Sequence, residues 1–329
     1  MSQNRTGPIP NTFILGAPKS GTSAMAHYLR DRRDVFFCDP KEPAYFASDY
    51  PVLARHHSLH TLDDYLALFA GANDAHRIVA EGSTTYLHSH CAVANILAFN
   101  PRARFVVMLR NPVEFAQAFH MEQSFVRNED EADFAVAWRA QEARARGEQL
   151  PRRCRDPNKL QYGMIGRYGE QVRRLLATVP REAVLFIRYE DFRHDAGACY
   201  RRLLAFLDLP DDARREFPVV NGSHRHRSPA VATLVLTPPK AIEPVMIKLR
   251  AFLRRKRFPA VEALKRRLRA DHRRQPLTAE LRQEMVAYFA ADIRELETLL
   301  GWDLSAWLDN GLDDGVDEGQ TSPRQAVAA

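Results

Sequence analysis

The sequence predicts an α/β fold with three layers, α/β/α, around a central mostly parallel sheet. Short β-branched or aromatic runs bounded by turn residues occur at 13–15, 78–80, 105–109 and 184–188, and their composition suits buried strands. Longer segments of helical period lie between them, at 23–31, 91–99, 113–125 and 168–177. Strands separated by helices imply right-handed βαβ crossovers and hence parallel pairing. The first strand also empties into a Gly-bearing loop and then a helix, the layout of a P-loop-like fold.

The first element spans 13–29, FILGAPKSGTSAMAHYL. Backbone N–H groups at a helix start point at an anion, so this loop is a candidate phosphate cradle, with Gly16 and Gly21 allowing close approach. The nucleoside triphosphatase pattern G-x-x-x-x-G-K-[ST] puts Lys directly after its second Gly, whereas Lys19 precedes Gly21 by two residues. ATP as the guest loses ground, and a tight turn with a solvated Lys19 is the bland alternative. After one further short strand comes 39–46, DPKEPAYF, where Lys41 and Glu42 are either chemistry or an exposed pair in a Pro-flanked turn. The strand at 105–109 ends in Arg110, and Pro112 opens the next helix. A guanidinium at a strand end suits a phosphate, with a surface pair to Glu114 as the alternative.

The C-terminal part changes character. Residues 241–274 read as helical and basic, and within 248–274 only Glu262 and Asp271 are acidic. A solvated helical face is the default, while attraction of an anionic acceptor or contact with an anionic membrane are the sharper readings. Nucleic acid is not expected as a partner, because no zinc-finger, RNA-recognition or helix-turn-helix pattern is present. Residues 278–300 have the apolar spacing of a long amphipathic helix behind Thr278; Leu281 stands where a capping box needs an acid or amide.

A chain of 329 residues with 45% hydrophobic content can bury a substantial core, and no linker divides it. One domain over 1–310 is the simpler organisation, with 311–329, rich in Gly and acids, expected to be a disordered tail. The 47 Lys and Arg against 41 Asp and Glu leave a charge of +6, a weak lean towards anionic ligands. Cys38, Cys91, Cys154 and Cys199 lie far apart with no C-x-x-C pair, which argues against a zinc knuckle or a dense disulfide framework and fits a reducing compartment. No signal pattern opens the chain, and no apolar run approaches the roughly 20 residues that span a bilayer. A soluble, cytoplasmic protein is expected.

The order Pro18-Lys19-Ser20-Gly21-Thr22-Ser23 after a strand resembles the 5′-phosphosulfate loop of the sulfotransferases that use 3′-phosphoadenosine 5′-phosphosulfate, PAPS. Residues 104–120, RFVVMLRNPVEFAQAFH, look like the family's 3′-phosphate segment, an Arg at the strand end and a Ser eight positions later. Arg110 fills the first place and Ala118 the second, which implies a weaker grip on the 3′-phosphate or compensation by another residue. EGSTTYL at 81–87, RYEDF at 188–192, NGSHRHRSP at 221–229 and GWDLSAW at 301–307 are similar to further family segments, so the resemblance covers nearly all of 10–308.

The resemblance implies that Lys19, Ser20, Gly21, Thr22, Ser23, Arg110 and Arg227 hold PAPS, that Lys19 stabilises the leaving phosphate, and that no metal is needed. DPKEPAYF resembles the K-E-x-x-[FY]-F segment of Golgi-type and bacterial carbohydrate sulfotransferases, in which the Glu is the base. Glu42 takes that role here, and burial is expected to raise its pKa. Cytosolic aryl and steroid members use a His in the segment matching Glu81-Gly82-Ser83, and none stands there. Heparan-type members often hold a Lys at the place of Gly82, for which Lys41, His88 and His120 are conceivable stand-ins.

The implied activity is EC 2.8.2-type sulfuryl transfer to a hydroxyl or amine of a small molecule, saccharide or lipid-linked acceptor. Specificity is expected in loops within 48–74 and 122–158. The alternatives are a P-loop nucleotide kinase and a catalytically silent nucleotide-binding scaffold of the same fold, for which Ala118 and Gly82 speak.

Overall fold

The computed structural model describes residues 8–218, 224–226, 269–271 and 276–309. Its central sheet has five strands: β1 (Thr12–Gly16), β2 (Val35–Phe37), β3 (Ile78–Gly82), β4 (Arg104–Leu109) and β5 (Val184–Arg188). They lie in the order β2-β3-β1-β4-β5, and every pairing is parallel. The expected α/β/α layering is present.

Burial on both faces explains why these strands read as continuous apolar runs. Phe13, Leu15, Val79, Phe105 and Val107 face one core, which α4 (Ala92–Phe99), α5 (Pro112–Phe125), α9 (Tyr168–Leu176) and the long C-terminal helix α12 (Ala279–Leu300) cover. Ile14, Ala80, Val106, Met108 and Ile187 face the other, covered by α1 (Thr22–Arg30) and α11 (Ala196–Phe206). The alternation is the period of two that a strand imposes.

Local chemistry sets the helix ends. Pro112 opens α5, where the Asn111 side chain accepts from Val113 N at 2.9 Å. Thr278 caps α12 by accepting from Leu281 N at 3.3 Å, and Gly301 ends it at φ 66°. Asp292 of α12 in turn accepts from Gly169 N (2.8 Å) and Glu170 N (3.0 Å), fastening the C-terminal helix to the first turn of α9.

The two expected specificity loops are partly helical. Residues 48–74 contain α2 (Pro51–His56) and α3 (Leu62–Ala67), the latter started by a Thr61/Asp64 capping box. Residues 122–158 contain the end of α5, α6 (Phe134–Arg139) and α7 (Gln141–Ala145); α6 buries Phe134, Ala137 and Trp138. The reading of 241–274 as helical is corrected at one point: β7 (Arg269–Asp271) pairs antiparallel with β6 (His224–His226), because strand pairing overrides local helical pattern. Arg227, the rest of the basic stretch 248–274 and the tail 311–329 lie outside the described residues. Two further helices, α8 (Tyr162–Gly166) and α10 (Tyr189–His194), flank α9 and β5. Among the described residues no helix is long and apolar enough to cross a membrane.

Candidate active site

The chain leaves β3 on one side of β1 and enters β4 on the other, so the carboxyl ends of three neighbouring strands border one crevice, the usual place for a ligand in an open α/β sheet. β1 leaves its ladder with β4 through a register shift between Ile14 and Gly16, and Ala17 N then donates to Met108 O at 2.6 Å. The loop turns at Lys19 (φ 61°) and Gly21 (φ 84°), and α1 starts at Thr22 with no side chain capping its first turn. Its N–H groups and the positive end of its dipole are thereby left for an anion. Ser20 is buried, its Oγ donating to Pro18 O at 3.3 Å.

Glu42 is neither free nor exposed. Its Oε2 accepts from Thr84 Oγ1 at 2.9 Å and its Oε1 lies 3.1 Å from Lys41 Nζ. Lys41 Nζ also donates to Thr22 Oγ1 at 3.3 Å, so one ammonium joins the carboxylate to the first residue of α1. The Lys41 stem runs past Gly82, where a Cβ would fall 3.6 Å from Lys41 Cε and 3.2 Å from Ile14 Cβ. The pair expected as an alternative thus exists, with side-chain exposures of 16% and 33%, but it is tied into the crevice on both sides. The expectation that burial raises the Glu42 pKa is corrected. Burial does press upward, but the charges of Lys41 and Lys159 and the hydrogen bonds from Lys41 and Thr84 outweigh it, and the pKa falls below the ordinary 4.5.

The neighbouring carboxyl behaves in the opposite way. Glu81 at the end of β3 is fully buried, and burial pushes its pKa to about 8 although Tyr86 (2.8 Å), Tyr65 (3.1 Å) and Ser83 (3.3 Å) all donate to it. Its hydroxyl partners belong to the core beneath the crevice.

Arg110 stands at the end of β4, 6% exposed, with Nη1 3.4 Å from Lys19 O and its guanidinium 4.7 Å from the centre of the Tyr189 ring. It also pairs with Glu114 at 3.3 Å, but with the guanidinium buried rather than at the surface, and Arg282 of α12 reaches the same carboxylate at 3.4 Å. A cavity of about 510 Å³ opens here, lined by Arg110, Arg188, Tyr189, Arg193, Arg282 and Trp307 among others; it takes in Arg110 but neither Lys19 nor Glu42. Ala118 is buried on α5. The Tyr168 hydroxyl, buried and without a hydrogen-bond partner among the described residues, feels the charge of Arg110.

Lys19 Nζ points at Glu122 of α5, 3.2 Å away. Of the conceivable stand-ins for a Lys at position 82, Lys41 is in the crevice. His120 is bonded to Glu131 O at 2.9 Å within an aromatic cluster. Thr84 carries no signal of its own beyond standing in segment 81–87, and nothing local in the sequence marks Glu122 or Lys159.

A family model described as the sulfotransferase domain matches residues 10–221. A crystal structure of a sulfotransferase from Alicyclobacillus acidocaldarius matches with a TM-score of 0.64 and 26% sequence identity, covering 91% of this chain and 99% of that one. The membrane-associated sulfotransferase kil1 of Dictyostelium discoideum is 24% identical over 106 residues, 32% of this chain and 21% of that protein, so the match spans about a fifth of that relative's length.

Proposed function

Because the chain belongs to the sulfotransferase domain family, we propose that it moves the sulfuryl group of PAPS onto a hydroxyl or amine of a small-molecule, saccharide or lipid-linked acceptor. One observation carries the reading: Lys41 ties Glu42 to Thr22 of the loop helix, while Arg110 touches the backbone of Lys19, so base, loop and strand-end arginine form one connected set. An ammonium, a guanidinium and an uncapped helix start are the donors that a nucleotide with phosphates at two ends requires.

PAPS supplies an activated sulfuryl group on a bisphosphate leaving group. Ser20, Gly21, Thr22 and Ser23 offer the loop and first-turn amides to its 5′ end, and Lys19 meets the charge that develops there as the S–O bond breaks. Arg110 takes the 3′-phosphate, with the Tyr168 hydroxyl replacing the contact that Ala118 lacks; Arg227 adds a second cation. Glu42 accepts the proton of the acceptor as the new bond to sulfur forms. Lys41 keeps that carboxylate ionised and close to the loop. The unit that does this is a single domain over 1–310.

Scanning fluorimetry with 3′-phosphoadenosine 5′-phosphate (PAP), ATP and GTP tests the assignment. Stabilisation by PAP alone is expected, since a ligand of the native state raises the midpoint by mass action. A response to ATP with none to PAP would favour the kinase reading and overturn this one. Glu42→Gln should abolish transfer from PAPS and keep PAP binding; retained turnover moves the base elsewhere, and PAP binding with no transfer to any acceptor returns the protein to a silent scaffold.

A further inference from the structure

Two buried polar side chains near Glu42 have unmet hydrogen-bonding capacity. His88 is 2% exposed, and among the described residues neither of its ring nitrogens has a partner. Asp156 is 5% exposed, and its Oδ2 is likewise without one. Leaving such groups unpaired in the interior is costly, and the charge of one lysine, Lys159, bears on both of them, so what they are kept for is something that binds.

Their surroundings join them to the crevice. Thr84, which holds Glu42, begins a helical turn that continues through Ser89 N donating to Thr85 O at 3.0 Å, and His88 follows Thr84 by four residues in that same turn. The His88 ring stands edge-on to Tyr50, with centroids 4.8 Å apart. The Asp156 charge bears on that same Tyr50, and the charge of Lys159 bears on Glu42, His88 and Asp156 together. Burial pushes the His88 pKa to about 3, so at neutral pH the ring is uncharged, with one donating and one accepting nitrogen.

Both backbones are fixed. Arg174 Nη2 donates to Leu87 O (3.1 Å) and Ser89 O (3.3 Å), gripping the chain on either side of His88. Asn128 accepts from Asp156 N and donates to Asp156 O, both at 3.1 Å. Groups left unpaired on clamped backbone are preorganised, and that is what lowers the cost of binding a ligand.

We propose that His88 and Asp156, flanked by Tyr50 and Lys159, form a hydroxyl-recognition subsite that selects acceptors carrying a further hydroxyl beside the one presented to Glu42. A hydroxyl both donates and accepts, which matches a neutral imidazole; the Asp156 carboxylate accepts a second O–H and disfavours an anionic group at that point. The ligand class is therefore a neutral polyol or vicinal diol, and monohydric alcohols and flat phenols leave the subsite unfilled. The proposal rests on the sulfotransferase reading above.

The test uses the full chain saturated with PAP, whose own binding reports separately on that reading. Glycerol, myo-inositol and methyl α-glucoside are compared with cyclohexylmethanol by scanning fluorimetry and by mass-spectrometric detection of sulfate transferred from PAPS. At least one polyol is expected to bind and be sulfated in preference to cyclohexylmethanol, by about tenfold for each buried hydrogen bond gained. His88→Phe should erase that preference, His88→Gln, which retains a donor and an acceptor, should restore part of it, and PAP affinity should hold in both. A merely structural histidine would lose stability on replacement, whereas His88→Phe should melt no lower than the wild type because it removes two unpaired nitrogens. Equal response to polyols and cyclohexylmethanol, no response to any polyol, or an unaltered preference in His88→Phe overturns the subsite. PAP binding that persists through any of these leaves the sulfotransferase reading intact.

Discussion

Glu122→Gln should tighten PAP binding, although it removes a contact of the proposed catalytic lysine. Lys19 and Glu122 sit 3.2 Å apart with side-chain exposures of 28% and 39%, so the pair is solvated and worth about 0.2–1 kcal/mol after screening. An incoming 5′-phosphate competes with Glu122 for the same ammonium. Replacing the carboxylate with an amide of the same shape removes the competitor, and the energy of the broken pair converts to a gain of about 1.4- to 5-fold in affinity. Calorimetric titration with PAP at low and physiological salt measures it, and the gain should shrink as salt rises because both partners are exposed. In a Lys19→Met background the same substitution should lose most of its effect, since no pair remains to break. Weaker PAP binding in Glu122→Gln would mean that Glu122 holds Lys19 in place rather than restraining it. An equal gain with and without Lys19 would place the effect outside the pair. Either result refutes the competition argument.

Three further outcomes follow from the site. The Glu42 pKa lies below 4.5, so the carboxylate is charged throughout the neutral range, and the acid limb of the kcat/KM profile should fall below pH 4.5 if Glu42 is the base; a limb near pH 6 to 7 contradicts that assignment. Glu81 has its native pKa raised from 4.5 to about 8, so between these values the unfolded chain has released a proton that the folded chain retains, and stability falls as pH rises, by about 5 kcal/mol at most. Glu81→Gln should accordingly melt close to the wild type at pH 5 and above it at pH 9, and an equal loss at both would show that the hydroxyl bonds outweigh burial. Gly21→Ala places a Cβ at φ 84° and 3.0 Å from the Phe192 ring, a strain of about 1–2 kcal/mol plus an overlap of about 1–3 kcal/mol, and should lower both Tm and PAP affinity. Gly147→Ala is its control, with φ 82° and no atom within 4 Å, and comparable losses in the two would remove the special role of the loop.

The sheet strands were legible because burial on both faces writes itself into local composition, as in residues 105–109 or Ile14 between Phe13 and Leu15, and so were several flanking helices, though not α11 (Ala196–Phe206). The loop was legible because its two glycines and its lysine fall within six residues. Segment 269–271 was not, since its strand character comes from a partner some forty residues away, and neither were the helices within 48–74 and 122–158, whose capping residues also suit turns.

The site shows the same division between local and distant signals. Lys19, Thr22, Glu42 and Arg110 sit in short motifs, so their residue types could be read directly, but the fate of Glu42 could not. Its pKa depends on Lys41 next to it, on Thr84 from the segment after β3 and on Lys159 from beyond α7, and only the first is a neighbour in sequence. Burial alone points to a raised pKa, as it does for Glu81, where the hydrogen bonds from Tyr86, Tyr65 and Ser83 do not outweigh it. Two glutamates at the ends of adjacent segments are thus driven in opposite directions by the placement of two lysines. Gly82 takes part in this: with no side chain there, the Lys41 stem crosses the end of β3 and delivers its ammonium between Thr22 and Glu42. Gly82→Ala would put a Cβ 3.2 Å from Ile14, a tight approach, and 3.6 Å from that stem, an ordinary contact, so a longer side chain is what would contest the space Lys41 occupies. The glycine that counts against catalysis when the sequence is read alone is, in the folded chain, the position that the Lys41 stem passes on its way to Glu42.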